Sequence, residues 1–118
     1  MKRGEVWSVR LPPSTGREQA GERPAVIVQD EAYGQGSPLV LVVPLTSSLA
    51  ALRFPGSARL EASPTNGLNL TSVAMVFQFR AVDRTRFVRR LGVLDDADLD
   101  RLLGELDALT GRSLPPPL

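Results

Sequence analysis

Between Glu5 and Val93 the apolar residues come in short runs separated by glycine and proline; only after Asp95 does a helical period take over. Runs of roughly four to eight apolar or alternating residues make strands, whereas a helix needs a sustained 3.6-residue stripe. The chain is therefore expected to be mostly β, with a single helix at its C-terminal end. Residues 5–11 alternate, placing Trp7, Val9 and Leu11 on one face of a strand and Ser8 and Arg10 on the other. The runs at 24–29 and 39–43 are continuously apolar, as strands buried on both faces are. Further strands are expected at 57–62, at 72–79 with Val73, Met75, Phe77 and Phe79 on one side, and at 87–93. Residues 12–23 read as a long loop, and Thr65-Asn66-Gly67 as a turn.

The C-terminal stripe is Leu99, Leu102, Leu103, Leu106 and Leu109 within a helix from Asp95 to Thr110. Asp95 suits its N-cap, Asp96 and Asp98 the positive end of its dipole, and Gly111 its exit. With 118 residues, 42% of them hydrophobic, the chain can build one core, so 1–118 is read as one domain. Five to seven short strands and one helix then make a small curled sheet or barrel with the helix packed on it.

Several classes of chemistry are excluded by composition. The chain has no cysteine and no histidine, so thiol nucleophiles, zinc–thiolate sites and imidazole bases are unavailable. Asp95-Asp96-Ala97-Asp98-Leu99-Asp100 lacks the glycine and closing glutamate of a calcium loop and reads as helix capping; no metal site and no cofactor is expected. No apolar run is long enough to span a membrane, and the charged N-terminus leads straight into a strand, so a cytoplasmic protein is expected.

Net charge is +1, but the charge is segregated. Arg80, Arg84, Arg86, Arg89 and Arg90 surround the single acid Asp83, and an acidic stretch from Asp95 to Asp107 follows. Lys2 is the only lysine, so nearly all positive charge is guanidinium, whose planar fork suits phosphate. A basic face beside an acidic helix can bind a polyanion while the whole stays near neutral.

Three segments carry polar groups that a plain scaffold does not need. Arg23, just before the strand at 24–29, is either a rigidly based phosphate clamp or an ordinary surface arginine. Thr46, Ser47 and Ser48 follow the third strand and can either donate to a phosphate oxygen or cap a helical turn at Ser48-Leu49-Ala50-Ala51. Gln78 and Arg80 can read a base edge and hold a phosphate, or simply decorate an edge strand. Phe54 and Tyr33 lie in loops, where they can stack on unpaired bases or fold back onto the core.

The order of these segments resembles the MazF/PemK toxin family. The resemblance is carried by Arg3-Gly4-Glu5-Val6-Trp7, Glu18-Gln19-Ala20-Gly21-Glu22-Arg23-Pro24-Ala25-Val26-Ile27-Val28, Val43-Pro44-Leu45-Thr46, and Ser72-Val73-Ala74 running to Gln78-Phe79-Arg80. Asp83-Arg84-Thr85-Arg86, Leu91-Gly92-Val93-Leu94 and the leucine-striped helix resemble the family's C-terminal part. The resemblance implies an SH3-like small barrel, a homodimer, and metal-independent cleavage of single-stranded RNA at short sequences, held in check by a cognate antitoxin. It implies Arg23 and Thr46 as the catalytic pair, Glu18 and Gln19 in a loop bordering the site, and Gln78 at a position that touches RNA. Ser47, Phe54 and Arg80 complete the expected substrate-binding set. Phe77 stands where relatives often carry an acid, a departure that bears on base preference rather than on catalysis.

Two other functions suit a chain of this kind. Gyrase-poisoning toxins share the architecture but use an aromatic near the C-terminus, where this chain reads Gly111-Arg112-Ser113-Leu114-Pro115-Pro116-Pro117-Leu118. An SH3-like adaptor for proline-rich peptides needs an aromatic-lined groove, which 5% aromatic residues supply poorly.

Overall fold

The third strand organises the molecule because it has three neighbours. In the computed structural model, which describes residues 1–13, 16 and 21–112, strands run at Glu5–Leu11 (β1), Gly21–Ile27 (β2), Leu39–Thr46 (β3), Ser57–Leu60 (β4), Ser72–Met75 (β5), Arg80–Asp83 (β6) and Phe87–Val93 (β7). A one-turn helix, Glu31–Gly34 (α1), precedes β3, and Asp96–Leu109 (α2) closes the described part. All pairings are antiparallel, in the order β4-β5-β3-β2-β1-β7, with β6 added on β3. One edge of β3 pairs with β2; the other pairs with β6 over residues 39–42 and with β5 over Leu45 and Thr46. The sheet thus bends around β3 without its ends, β4 and β7, meeting among the described residues.

Both faces of the central strands are covered, as their continuous apolar runs predict. Val6, Val26, Val43, Leu45, Leu60, Ala74 and Val76 pack under α2, where Leu102 is fully buried and Leu99, Leu103 and Leu106 lie half-buried beside it. Val9, Leu11, Ala25, Ile27, Val40, Val42 and Val82 form a second cluster on the opposite face, flanked by Trp7 and Phe87, whose rings meet edge-on at 5.8 Å. The exception is the first half of β3, where Leu39 and Leu41 are exposed.

Helix α2 ends as expected. The Asp95 carboxylate accepts the Asp98 amide at 2.8 Å, and Gly111 follows the last turn at φ +76°.

Five strand boundaries differ from expectation, one of them the end of β2 at Ile27 rather than 29. β2 begins at Gly21 rather than at 24, since Glu22 and Arg23 pair with Arg10 and Val9 of β1 through backbone that apolar periodicity does not report. β3 continues past 43 through Pro44 to Thr46, because Pro44 lies opposite Ala25 and Leu45 and Thr46 pick up β5. β4 stops at Leu60 rather than 62, where its pairing with Ser72 ends. Of the expected strand at 72–79 only β5, Ser72–Met75, forms; a 3₁₀ turn follows at Val76–Gln78, and β6 starts beyond the expected range at Arg80. That turn carries the chain from one partner segment of β3 to the other.

Candidate active site

Where β1, β2, β3 and β7 come together, a groove of about 560 Å³ opens on the molecule. Its lining comes from Ser8 on β1, from Glu22, Arg23 and Pro24 on β2, and from Leu45, Thr46 and Ser47 at the end of β3. Loop residues 67–70 form one wall, and Arg89, Arg90 and Leu91 of β7 another. Ser8 lies opposite Pro24 on one side and Arg89 on the other, so strand register brings the β7 arginines to the β2 motif.

Arg23 is the third residue of β2, half-buried and opposite Val9, so a strand rather than a loop holds its backbone. The Thr46 hydroxyl oxygen accepts the Ser48 amide at 3.2 Å. That bond fixes the side chain while keeping its O–H as a donor. The turn expected after Ser48 is present, a 3₁₀ segment Leu49–Arg53, but the Ser48 side chain does not cap it.

Three arginines, Arg23, Arg89 and Arg90, line the groove with one acidic residue, Glu22, whose carboxylate sits 3.6 Å from Arg10. Low-dielectric walls lined by one sign of charge concentrate the field on an anion. Arg90 is anchored from behind: its Nε donates to Glu5 at 3.1 Å, and Glu5 also accepts the Trp7 indole N–H and the Lys2 amide, each at 3.0 Å. Burial pushes the Glu5 carboxyl up, but the Trp7, Lys2 and Arg90 donors outweigh it and hold the group below its ordinary range. A carboxylate with a lowered folded-state value adds stability above the ordinary carboxylate range and loses it as pH falls through the folded value. Glu5→Gln is therefore expected to lower the melting temperature at pH 7, with the gap from the native protein closing below about pH 4. A melting series from pH 7 to 3 checks this.

A second pocket, about 320 Å³, adjoins the first through Thr46, which lines both. Ser48, Arg53, Phe54, Phe77 and Gln78 are among its other walls. The structure thus brings Arg23, Thr46 and Ser47 into the first groove and Phe54 and Gln78 into its neighbour. Arg80 lines neither: it starts β6, paired with Val42. Glu18 and Gln19 lie outside the described residues. Tyr33 is exposed on α1.

The basic block is divided by the fold. Arg84 is a brace, donating to the carbonyls of Ser37 (2.6 Å) and Gly34 and to the Met1 sulfur (3.4 Å). Arg89 and Arg90 reach the groove instead. Both are visible as charge in the sequence, but only the β1–β7 register separates them from Arg84. Among the described residues no group of three His, Cys, Asp or Glu side chains converges, and no helix is long and apolar enough to cross a membrane.

An open, bent antiparallel sheet with arginines and a threonine hydroxyl along one groove defines a small, mostly β protein with a single long C-terminal helix. Residues 2–110 match the family described as PemK-like, MazF-like toxin of type II toxin–antitoxin system, and the chain belongs to that family. It is 36% identical over 107 residues to endoribonuclease MazF9 of Mycobacterium tuberculosis, covering 86% of this chain and 89% of that protein. It is 34% identical over 110 residues to endoribonuclease PemK of Escherichia coli, covering 92% and 81%. The fold is similar to a crystal structure of MazF from Deinococcus radiodurans, with TM-score 0.80, 26% identity and coverage of 94% and 96%. The same organism's MazE–MazF complex superposes with TM-score 0.74 at 26% identity, covering 96% and 97%.

Proposed function

We propose that this chain is a toxin endoribonuclease that cuts single-stranded RNA by transesterification, with Arg23 and Thr46 as its catalytic pair. The observation that carries the reading is that these two residues, from different strands, line one groove together with Arg89 and Arg90. The relatives' endoribonuclease names agree with it, and nothing in those names favours the gyrase-binding alternative.

RNA brings its own nucleophile. The 2′-hydroxyl gives up its proton as its oxygen bonds to phosphorus, the P–O5′ bond breaks, and the leaving 5′-oxygen takes up a proton, so the products are a 2′,3′-cyclic phosphate and a 5′-hydroxyl. What the protein must supply is in-line geometry and stabilisation of the pentavalent phosphate. Arg23 provides charge and a fork of donors for the non-bridging oxygens, and Thr46 a single fixed O–H. Arg89 and Arg90 hold flanking phosphates. Arginine is protonated far above neutral pH, so it serves as stabiliser and not as the general base. Ser47 borders the RNA within the groove beside Thr46, and Phe54 and Gln78 border it on the far side of Thr46. On this reading the whole of 1–118 is one toxin domain acting in the cytoplasm as a homodimer, and a cognate antitoxin inactivates it by covering the groove.

An RNA carrying a single 2′-deoxy sugar at a mapped cut site tests the mechanism. Loss of that cut with neighbouring sites untouched is expected. Cleavage at the deoxy position would require water or another external nucleophile and would refute transesterification.

A further inference from the structure

Removing the proton of a 2′-hydroxyl takes an acceptor, and the lining of the groove narrows that role to one side chain. Serine, threonine and asparagine do not take a proton near neutral pH, and arginine is already protonated there. Among the described residues that line the groove, the one polar side chain left is Glu22. Pairing between β2 and β3 stops at Ala25 and Pro44, so Glu22 and Arg23 stand on an open edge of β2, across the groove from Thr46 and Ser47. Successive residues of a strand face opposite sides. Glu22 therefore comes to that edge from the side of Pro24 and Ser8, and Arg23 from the other. The Glu22 side chain is 52% exposed, and its carboxylate sits 3.6 Å from the Arg10 Nε. That separation is an ion pair but longer than a hydrogen bond, so the carboxylate is restrained while its lone pairs stay open to a ligand.

We propose that Glu22 is the general base of the cleavage. The inference rests on the endoribonuclease reading and supplies a role that neither Arg23 nor Thr46 can fill. As the 2′-oxygen bonds to phosphorus, its proton passes to the Glu22 carboxylate, which becomes a neutral acid. The P–O5′ bond breaks, the 5′-oxygen takes a proton from water, and the hydroxide left behind takes the proton back from Glu22. The charged groups around this carboxylate are Arg10 on β1, Arg23 beside it on β2, and Arg89 and Arg90 on β7. All four are arginines and keep their charge through the neutral range, so a pH effect at this site does not come from them.

Single-turnover cleavage by Glu22→Gln tests this, since glutamine keeps the size and polarity of the side chain but takes no proton. The rate is expected to fall about 100-fold, the lower end of what a positioned base contributes, because water reaches a half-exposed site. Binding of a non-cleavable 2′-deoxy RNA is expected to be no weaker than in the native protein, since the substitution removes a negative charge. From pH 6 to 8 the residual rate should rise roughly in proportion to hydroxide, which then takes the proton, while the native rate stays nearly level. Arg10→Gln removes the same ion pair and leaves the carboxylate, and is expected to cut within about fivefold of native. A near-native rate in folded Glu22→Gln, or an equal loss in Arg10→Gln, overturns the assignment and leaves the endoribonuclease reading standing. So does a hydroxide-dependent residual rate found in Glu18→Gln instead. A folded native protein that cuts nothing overturns both.

Discussion

Arg23→Ala and Thr46→Ala are each expected to slow RNA cleavage by about 100-fold or more with the fold intact, the largest effects anticipated for this chain. The magnitude follows from where the charge develops. In the pentavalent state the non-bridging oxygens gain charge inside a groove partly walled from water, and a donor removed there is not replaced by solvent of equal strength. Arg23 is fixed by strand pairing with β1, and Thr46 by its pairing with Val73 and its bond to the Ser48 amide. Neither has to be reorganised during the reaction. Arg23→Lys keeps the charge but loses the fork, and is expected to recover only part of the activity. Thr46→Ser keeps the hydroxyl and should recover most of it. Single-turnover cleavage at matched melting temperature checks all four. Near-native rates in both alanine variants would move the chemistry elsewhere in the groove.

The second large effect concerns the wall of that groove. The loop before β5 is locked onto β7 by close backbone contact. A Cβ at Gly92 would lie 2.3 Å from the Thr65 carbonyl oxygen, and one at Gly67 would lie 2.1 Å from the Leu91 carbonyl oxygen. Gly67 also sits at φ +71°, where L side chains are strained. Buried Asn66 ties the loop together, accepting the Ser63 and Leu68 amides at 3.0 Å each and donating to the Glu61 carbonyl at 2.9 Å. Gly92→Ala is therefore expected to destabilise the protein by about 2–4 kcal/mol, because backbone must move apart and the Val93 amide bond to Thr65 goes with it. Gly104→Ala is the control. It lies on α2 with nothing near its Cβ position and is expected to stabilise by about 0.5–1 kcal/mol. Urea unfolding of both variants gives the comparison. A Gly92 variant as stable as the native protein would mean the loop is not locked as described.

Elements whose side chains announce their partners are legible in the amino-acid sequence. β1 runs over the residues its alternation predicts, and α2 starts directly after the acid expected to cap it, Asp95. Boundaries set by long-range pairing are not legible there. Nothing local tells Val76–Gln78 to turn, because Val73, Met75, Phe77 and Phe79 keep a strand's alternation through it. The break exists because β3 hands its free edge from β6 to β5. The same limit applies to the site. Arg23 and Thr46 stand in short motifs next to buried strands, which singles them out. Arg89 and Arg90 look no different from Arg84, since all three are arginines in one basic stretch. Only tertiary register sends two to the groove and one to the carbonyls of Ser37 and Gly34.

The most direct test is incubation of the folded protein with a long unstructured RNA in excess EDTA, followed by mapping of the cuts and of their ends. Cleavage at a few short sites, leaving 2′,3′-cyclic phosphate and 5′-hydroxyl termini, is the predicted result. An intact RNA in EDTA that is cut only once magnesium is restored would contradict a metal-independent active site built on Arg23 and Thr46.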